Sequence, residues 1–395
     1  MLVRRTRTKP PFTHHNMAKT AFITGANGVS GSAIVEYLCN TTTSDDWGSI
    51  IVTSRSQFKP TVRDARIKFI ALDFTHDASS LVEQMKEVCA PVTHAYFCSY
   101  LHKDDFADSY TANTALFENF IEALDRTAPR LENVTLQTGG KYYNLHVEPV
   151  PSPAREEDPR RYGPFENFYF PQEDKLAEMQ RRGGKAWSWN VIRPEAIIGA
   201  NAQPYGLNAA LTLAVYFLIC RELDADAPMP TNQRYWEGAE DASYAPLIAD
   251  LAVFVSTRKS CANEAFNVAN GDYFSWRYMW PRLAESLGAK ADPHQQFEKP
   301  VPKEGTLQLE WSFAEWCKDK RKVWDDLCDR QGLPGAKATF DLVGWEIGDF
   351  LYARTWSATL SVNKARRYGW TGHIDSHQAF VNTFNKFREL GLIPK

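Results

Sequence analysis

Residues 21–31 read Ala21-Phe22-Ile23-Thr24-Gly25-Ala26-Asn27-Gly28-Val29-Ser30-Gly31, and the chain continues into the helix-like Ser32 to Leu38. A short apolar strand is followed by three glycines, Gly25, Gly28 and Gly31, in Gly-x-x-Gly-x-x-Gly spacing, with Val29 beside them a candidate cofactor contact. Such spacing supplies a tight turn and a backbone without Cβ where a pyrophosphate comes close. It also supplies a helix N-terminus whose free N–H groups and positive dipole end face the phosphates. Glycines alone say little; in strand, loop and helix context near the start of a chain they predict a dinucleotide-binding fold.

Working outward, the second strand, Ser49 to Thr53, ends in Ser54-Arg55-Ser56. A fold built for NAD places an acidic residue there, on the ribose 2′-hydroxyl. An arginine between hydroxyls suits a 2′-phosphate, so NADP(H) is the expected cofactor, against the plainer reading of Arg55 as a solvated loop cation. The third strand, Ile67 to Leu72, leads to Asp73 and Phe74, a carboxylate placed to meet an adenine amino group and an apolar neighbour to cover its face. The fourth, His94 to Cys98, leads to Ser99-Tyr100, and the fifth, Asn133 to Gln137, runs into Thr138-Gly139-Gly140-Lys141-Tyr142-Tyr143. Helical stretches such as Ser79 to Val88 and Ala112 to Leu124 alternate with these strands, which predicts an α/β class, a Rossmann-type doubly wound parallel sheet.

The chain has 395 residues, more than the roughly 100–200 of a single core. Residues 17–200 are expected to form the NADP-binding domain and 201–395 a smaller, mostly helical substrate lobe. The lobe's helices fall at Leu207 to Leu223, Tyr244 to Ser256, Trp276 to Leu287, Phe313 to Gln331 and His377 to Leu390, and Ala265 to Val268 sends a strand back to the sheet. Lys+Arg 45 against Asp+Glu 48 leaves no basic field for nucleic acid. No apolar run is long enough to span a bilayer, and seven cysteines without Cys-x-x-Cys spacing suit a reduced, cytoplasmic chain. The histidines show no metal-ligand spacing, so no metal is expected. Residues 1–16 are basic and acid-free; a disordered extension is expected, with a mitochondrial presequence or a start at Met17 as alternatives. The 13% aromatic content and 12 Trp build a core or an apolar pocket, and Trp236 is the first candidate to line such a pocket.

In the common short-chain dehydrogenases a Tyr and a Lys four residues later share a helix, the ammonium lowering the phenol pKa. None of the 16 Tyr here has a Lys at that spacing. The pair is therefore absent or comes from two segments. Four stretches resemble, in order, the progesterone 5β-reductase/iridoid synthase-like family, an atypical branch of the short-chain dehydrogenase/reductases. They are Lys141-Tyr142-Tyr143; Asn167-Phe168-Tyr169-Phe170 before Pro171-Gln172-Glu173-Asp174; Arg193-Pro194-Glu195-Ala196-Ile197-Ile198-Gly199; and Asn263 to Asp272. The resemblance runs from about Lys19 to the C-terminus.

It implies that Tyr169 is the catalytic phenol and Lys141 its partner from a neighbouring loop. It implies too that NADPH delivers hydride to the β-carbon of a C=C conjugated to a carbonyl, while the phenol stabilises the enolate oxygen. Pro194, Ala196 and Ile197 would lie against the nicotinamide end. Without the resemblance, Tyr169 reads as a packed aromatic, Lys141 as a loop charge and Arg193 as an ion-pair partner on a sixth strand. The family's Lys-His-Tyr and Gly-Pro-Phe are replaced here by Tyr142 and by Asn144 to Pro149. Tyr100, Tyr142 and Glu148 are therefore expected at the substrate mouth, Glu148 standing for a small residue. Trp345-Glu346-Ile347-Gly348-Asp349 resembles Trp-Trp-Phe-Gly-Asp, with Ile347 where the family has a pocket-gating side chain; surface or packing changes are the alternative.

The expected function is NADPH-dependent reduction of a small apolar α,β-unsaturated carbonyl, in secondary metabolism. A carbonyl reductase with the same Tyr and Lys, a non-redox isomerase or cyclase, and an NADP-binding regulator are the competing readings. A homodimer stays open.

Overall fold

The computed structural model describes residues 18–182, 186–204 and 206–395; the expected extension at 1–16 lies outside the described residues. Six strands come in order from the first half: β1 (Lys19–Thr24), β2 (Trp47–Ser54), β3 (Ile67–Ala71), β4 (His94–Phe97), β5 (Asn133–Gln137) and β6 (Ser188–Pro194). A two-stranded ladder, β7 (Ile197–Ile198) with β8 (Ser243–Tyr244), follows, and β9 (Glu264–Val268) returns to the main sheet. That sheet is parallel throughout, in the order β3-β2-β1-β4-β5-β6-β9. Central strands are apolar on both faces because both are covered: Ala21-Phe22-Ile23 and Ile50-Ile51-Val52 are buried along their whole length. The strand order reverses between β1 and β4, which opens a crevice at the carboxyl ends, the place where such sheets bind ligands.

Helices α1 (Val29–Thr41), α2 (Ala78–Cys89), α3 (Phe106–Thr127) and α4 (Tyr169–Arg182) make the crossovers. Helix α3 begins six residues before the expected Ala112, because the Asp105 carboxylate accepts from the N–H groups of Ala107 and Asp108 and caps it there. One face of the sheet packs on α2 and α3 through Leu81, Met85, Phe97, Phe117 and Phe120. The chain then passes through α5 (Ala209–Glu222) and α6 (Gln233–Glu237) before α7 (Ala245–Ser256) crosses the other face beside α1.

This corrects the expected boundary at residue 200. Tyr244 to Ser256 belongs to the sheet, since its Leu247, Ile248, Leu251, Ala252 and Val255 share one core with α1 and Phe266 of β9. A doubly wound sheet needs both faces buried, and α7 completes the cover that α1 begins.

The second lobe is built on α5, buried along nearly its full length, with α8 (Trp276–Ser286) and the terminal helix Ser376–Glu389 packed on it. Its core holds Tyr216, Phe217, Trp280, Phe313 and Trp324. The buried indole N–H groups of Trp280 and Trp324 donate to the carbonyls of Ala227 (2.8 Å) and Ala336 (3.0 Å). Trp236 lies in the same core, 2% exposed, its ring 6.3 Å from Phe297; its expected pocket role is corrected to packing. The expected helix 313–331 breaks into Phe313–Trp316, a 3-10 turn and Arg321–Arg330. Among the described residues no helix is long and apolar enough to cross a membrane.

Candidate active site

The glycine loop is dictated by contact. Gly25 has φ +63°, and a Cβ there would lie 2.7 Å from the Cys98 carbonyl oxygen and 3.2 Å from the Ser99 nitrogen. A Cβ on Gly31 would lie 2.3 Å from the Gly25 carbonyl oxygen. The loop, α1 and the end of β4 therefore meet with no room for side chains. Gly28 caps α1 with no side-chain hydrogen bond, so the N–H groups of the first turn, starting at Val29, are left to an anion. A Cβ-free cradle below an uncapped helix start fits a pyrophosphate. Asn27, which the sequence reading passed over, ties this loop to the end of β2: its amide donates to Ser54 Oγ (3.0 Å) and Ser56 Oγ (3.2 Å).

Arg55 is exposed beside that junction. Asp73 holds its carboxyl below the ordinary value: burial pushes it up, but hydrogen bonds from the Thr75 N–H (3.0 Å) and hydroxyl (2.8 Å), with the nearby Arg55 charge, outweigh it. Phe74 is a core residue, its ring edge-on to Phe120 at 5.4 Å, which corrects the expectation that it is free to cover an adenine. Ser99 and Tyr100 sit on a segment clamped by Asn113, which accepts from the Leu101 N–H and donates to its carbonyl, both at 2.8 Å. Thr138 follows β5 with its hydroxyl oxygen buried and unbonded among the described residues.

Beyond β5, Gly139 leads into a 3-10 turn, Gly140–Tyr143, that carries Lys141. Tyr169 is the first residue of α4. Asn167 joins the two: its amide donates to the Lys141 carbonyl (2.6 Å) and its Oδ1 accepts from the Tyr169 N–H (3.1 Å). The phenol rests on Gly139, where a Cβ would be 3.4 Å from the Tyr169 hydroxyl and 3.2 Å from the Pro194 carbonyl oxygen. Phenol, Lys141 turn and the end of β6 thus converge at the carboxyl edge of the sheet. Burial, reinforced by Tyr100 and Glu195, pushes the Tyr169 phenol above its ordinary value, so it stays protonated and can donate. Lys141 is open to solvent on one side, yet the protein around it lowers its ammonium pKa, with Glu195 opposing.

The other expected contacts divide. Pro194 is buried at the end of β6, Ala196 is exposed with φ +41°, and Ile197 is half-buried in β7. Tyr100 is 37% exposed, its ring 6.0 Å from that of Phe168, which stacks edge-on to Tyr169 at 4.6 Å; it stands at the rim. Tyr142 does not: its ring lies 3.4 Å under the Arg193 guanidinium and edge-on to Phe170, a packing role that corrects the expected mouth position. Glu148 is paired to Arg161 at 3.1 Å inside its own loop. Ile347 is half-buried where Gly344 meets Gly206. His146 is held neutral, its pKa down to about 3 through burial and the charges of Lys141 and Arg354.

Arg193 is the ion-pair partner of the alternative reading. Its Nη2 meets Glu173 at 2.7 Å and its Nη1 donates to the Tyr143 hydroxyl at 3.1 Å, with both charged side chains nearly out of solvent. Glu173→Leu is expected to destabilise the fold by about 3–5 kcal/mol, because a buried guanidinium is left unpaired. Denaturant midpoints of the variant and parent check this.

A dinucleotide cradle with a tyrosine and a lysine at the carboxyl edge of a doubly wound sheet defines an oxidoreductase of the short-chain dehydrogenase/reductase type, a Rossmann fold whose relatives bind NAD(P). The family described as "PRISE-like Rossmann-fold domain" matches residues 21–394, and the chain belongs to it. The chain is 84% identical over 379 residues to "Short chain dehydrogenase gsfE" of Penicillium aethiopicum, covering 96% of this chain and 100% of that one. It is 30% identical to "3-oxo-Delta(4,5)-steroid 5-beta-reductase" of Arabidopsis thaliana (95% and 93% covered). It is 29% identical to "(S)-8-oxocitronellyl enol synthase ISY1" of Nepeta cataria (96% and 94% covered).

Proposed function

We propose that the protein is an NADPH-dependent reductase of an apolar α,β-unsaturated carbonyl compound, acting by 1,4-addition in secondary metabolism. The observation that carries this reading is the Asn167 bridge between the Lys141 carbonyl and the Tyr169 N–H, which ties together the two segments that bear the phenol and the ammonium. The names of two relatives agree with it: one reduces a 3-oxo-Δ4,5 steroid and the other is an enol synthase. When bound, NADPH would supply the hydride. The chain's own part is electrostatic. Conjugate addition places negative charge on the carbonyl oxygen, and a fixed neutral phenol donating to it lowers the barrier. Lys141 would add a positive field to the phenol, and Tyr100 at the rim, backed by the buried Phe168, offers aromatic surface to an apolar substrate.

The test incubates the purified protein with NADPH and a panel of enones, enals, aldehydes and ketones. Saturated carbonyl products are expected. Alcohols would replace the reading by a carbonyl reductase, and isomers formed without NADPH loss by an isomerase or cyclase.

Arg55, exposed at the end of β2 beside Ser54 and Ser56, is proposed to meet the 2′-phosphate. Arg55→Ala is expected to weaken NADPH binding about tenfold, the scale of one charge-assisted contact, and to leave NADH binding within twofold. Fluorescence titration of both cofactors measures this, and equal losses would reject the 2′-phosphate contact.

A further inference from the structure

Glu195 follows Pro194 at the carboxyl end of β6 and is neither the proposed phenol donor nor its lysine partner. Its side chain is 15% exposed. Its Oε2 lies over Gly140, where a Cβ would come within 1.7 Å of it, and Leu145 closes the same seat at 2.9 Å. Gly139, the preceding residue, carries the Tyr169 hydroxyl in the same way. Two consecutive glycines therefore seat a carboxyl and a phenol side by side, and the residue after them is Lys141.

The other carboxyl oxygen of Glu195 faces Arg354 at 3.8 Å, beyond hydrogen-bond reach. Arg354 is committed elsewhere: its Nη2 donates to Glu240 at 2.8 Å and to the Tyr235 hydroxyl at 3.0 Å. Glu195 accepts no side-chain hydrogen bond among the described residues, so its charge is not consumed by a partner. Burial pushes the Glu195 carboxyl above its ordinary value, while Arg354 and Lys141 pull it down. The reciprocal effect falls on Lys141, whose pKa is lowered by burial and supported by Glu195. Around this group the remaining ionisable neighbours are Glu240 and Asp241, both pushed up by burial, and the neutral His146 and Tyr169.

We propose that Glu195 is a positioning residue for the Lys141–Tyr169 pair: seated on Gly140, its carboxylate sustains the Lys141 charge beside the phenol and sets the upper pH limit of the reaction. The proposal rests on the roles given above to Tyr169 and Lys141. Removing the carboxylate charge makes the ammonium easier to deprotonate. It also removes a negative neighbour from the phenol, which then ionises more easily. Both changes move the alkaline limit to lower pH.

The experiment follows acetylation of each lysine by acetic anhydride against pH, with residue-level readout by mass spectrometry, in the parent and Glu195→Gln. The Lys141 midpoint is expected to fall by about one pH unit, the lower end of what an opposite charge a few ångströms away supplies, with other lysines unmoved. The alkaline limb of the pH–rate profile should fall with it. Gly140→Ala, which displaces the carboxylate without removing it, should give the same fall, and should add nothing in a Glu195→Ala background. An unmoved Lys141 midpoint in whichever of these variants retains the parent's circular dichroism overturns the proposal. A shifted midpoint in a protein that reduces no C=C bond would uphold the Glu195 role and reject the ene-reductase reading alone.

Discussion

Tyr169→Phe is expected to lower kcat for enone reduction by about 100- to 1,000-fold, the cost of removing one donor from a developing oxyanion, while the NADPH dissociation constant stays within twofold. The substitution is unusually clean. The hydroxyl makes no hydrogen bond to protein among the described residues, and the ring keeps its edge-on contact with Phe168 and its place over Gly139. Packing is therefore preserved and only the donor is lost. The phenol's pKa is raised by burial, so at neutral pH the parent presents a full O–H group and the contrast with Phe is not blurred by ionisation. Lys141→Met should cost less, about tenfold, because an ammonium acting through the phenol contributes field and not a bond to the substrate. Steady-state kinetics with cofactor titration separates the two effects. Unchanged turnover in Tyr169→Phe would remove the residue from the mechanism and, with it, the reading of the site.

How far this could be read from sequence follows from what carries the signal. The five N-terminal strands and the glycine loop were legible because their determinants are local: apolar runs of strand length and a glycine spacing that backbone contact enforces. The edges of α3 were not, since the cap at Asp105 precedes the apolar pattern. The layer of α7 is not legible, because an apolar helix looks alike whether it covers a sheet or fills a lobe. Trp236 and Tyr142 misled for a related reason. An aromatic side chain announces that it will be buried, not what will bury it, and here the answers were the lobe core and the Arg193 guanidinium. The site's polar frame was least legible. Asn27, Asn113 and Asn167 work by bonding to groups 12 to 27 residues away, and Glu195 lies 3.8 Å from Arg354 across more than a hundred residues. Local spacing carries no trace of such pairs.

The second large effect is expected at Gly31. Gly31→Ala should weaken NADPH binding by about 10- to 100-fold, the affinity equivalent of an overpacked contact costing about 1–3 kcal/mol. The new methyl would sit 2.3 Å from the Gly25 carbonyl oxygen and 2.7 Å from its carbonyl carbon, both backbone atoms. Neither can turn aside as a side chain can. Gly25 cannot give way either: its φ of +63° is already the left-handed conformation, and the Cys98 carbonyl oxygen would lie only 2.7 Å from a Cβ built on it. The strain must therefore pass into the turn that carries the phosphate-facing N–H groups. Gly28→Ala is the internal comparison. Gly28 has φ −80°, open to any residue, and its Cβ would meet only the Gly25 oxygen at 3.1 Å within the protein, so the strain and the fall in melting temperature should be smaller than at Gly31, any loss of NADPH affinity there coming from the methyl meeting the pyrophosphate itself. Cofactor titrations of the two variants, with melting curves to confirm folding, test the ranking. A Gly31→Ala protein that binds NADPH as tightly as the parent would mean the cofactor's phosphates do not rest on this loop.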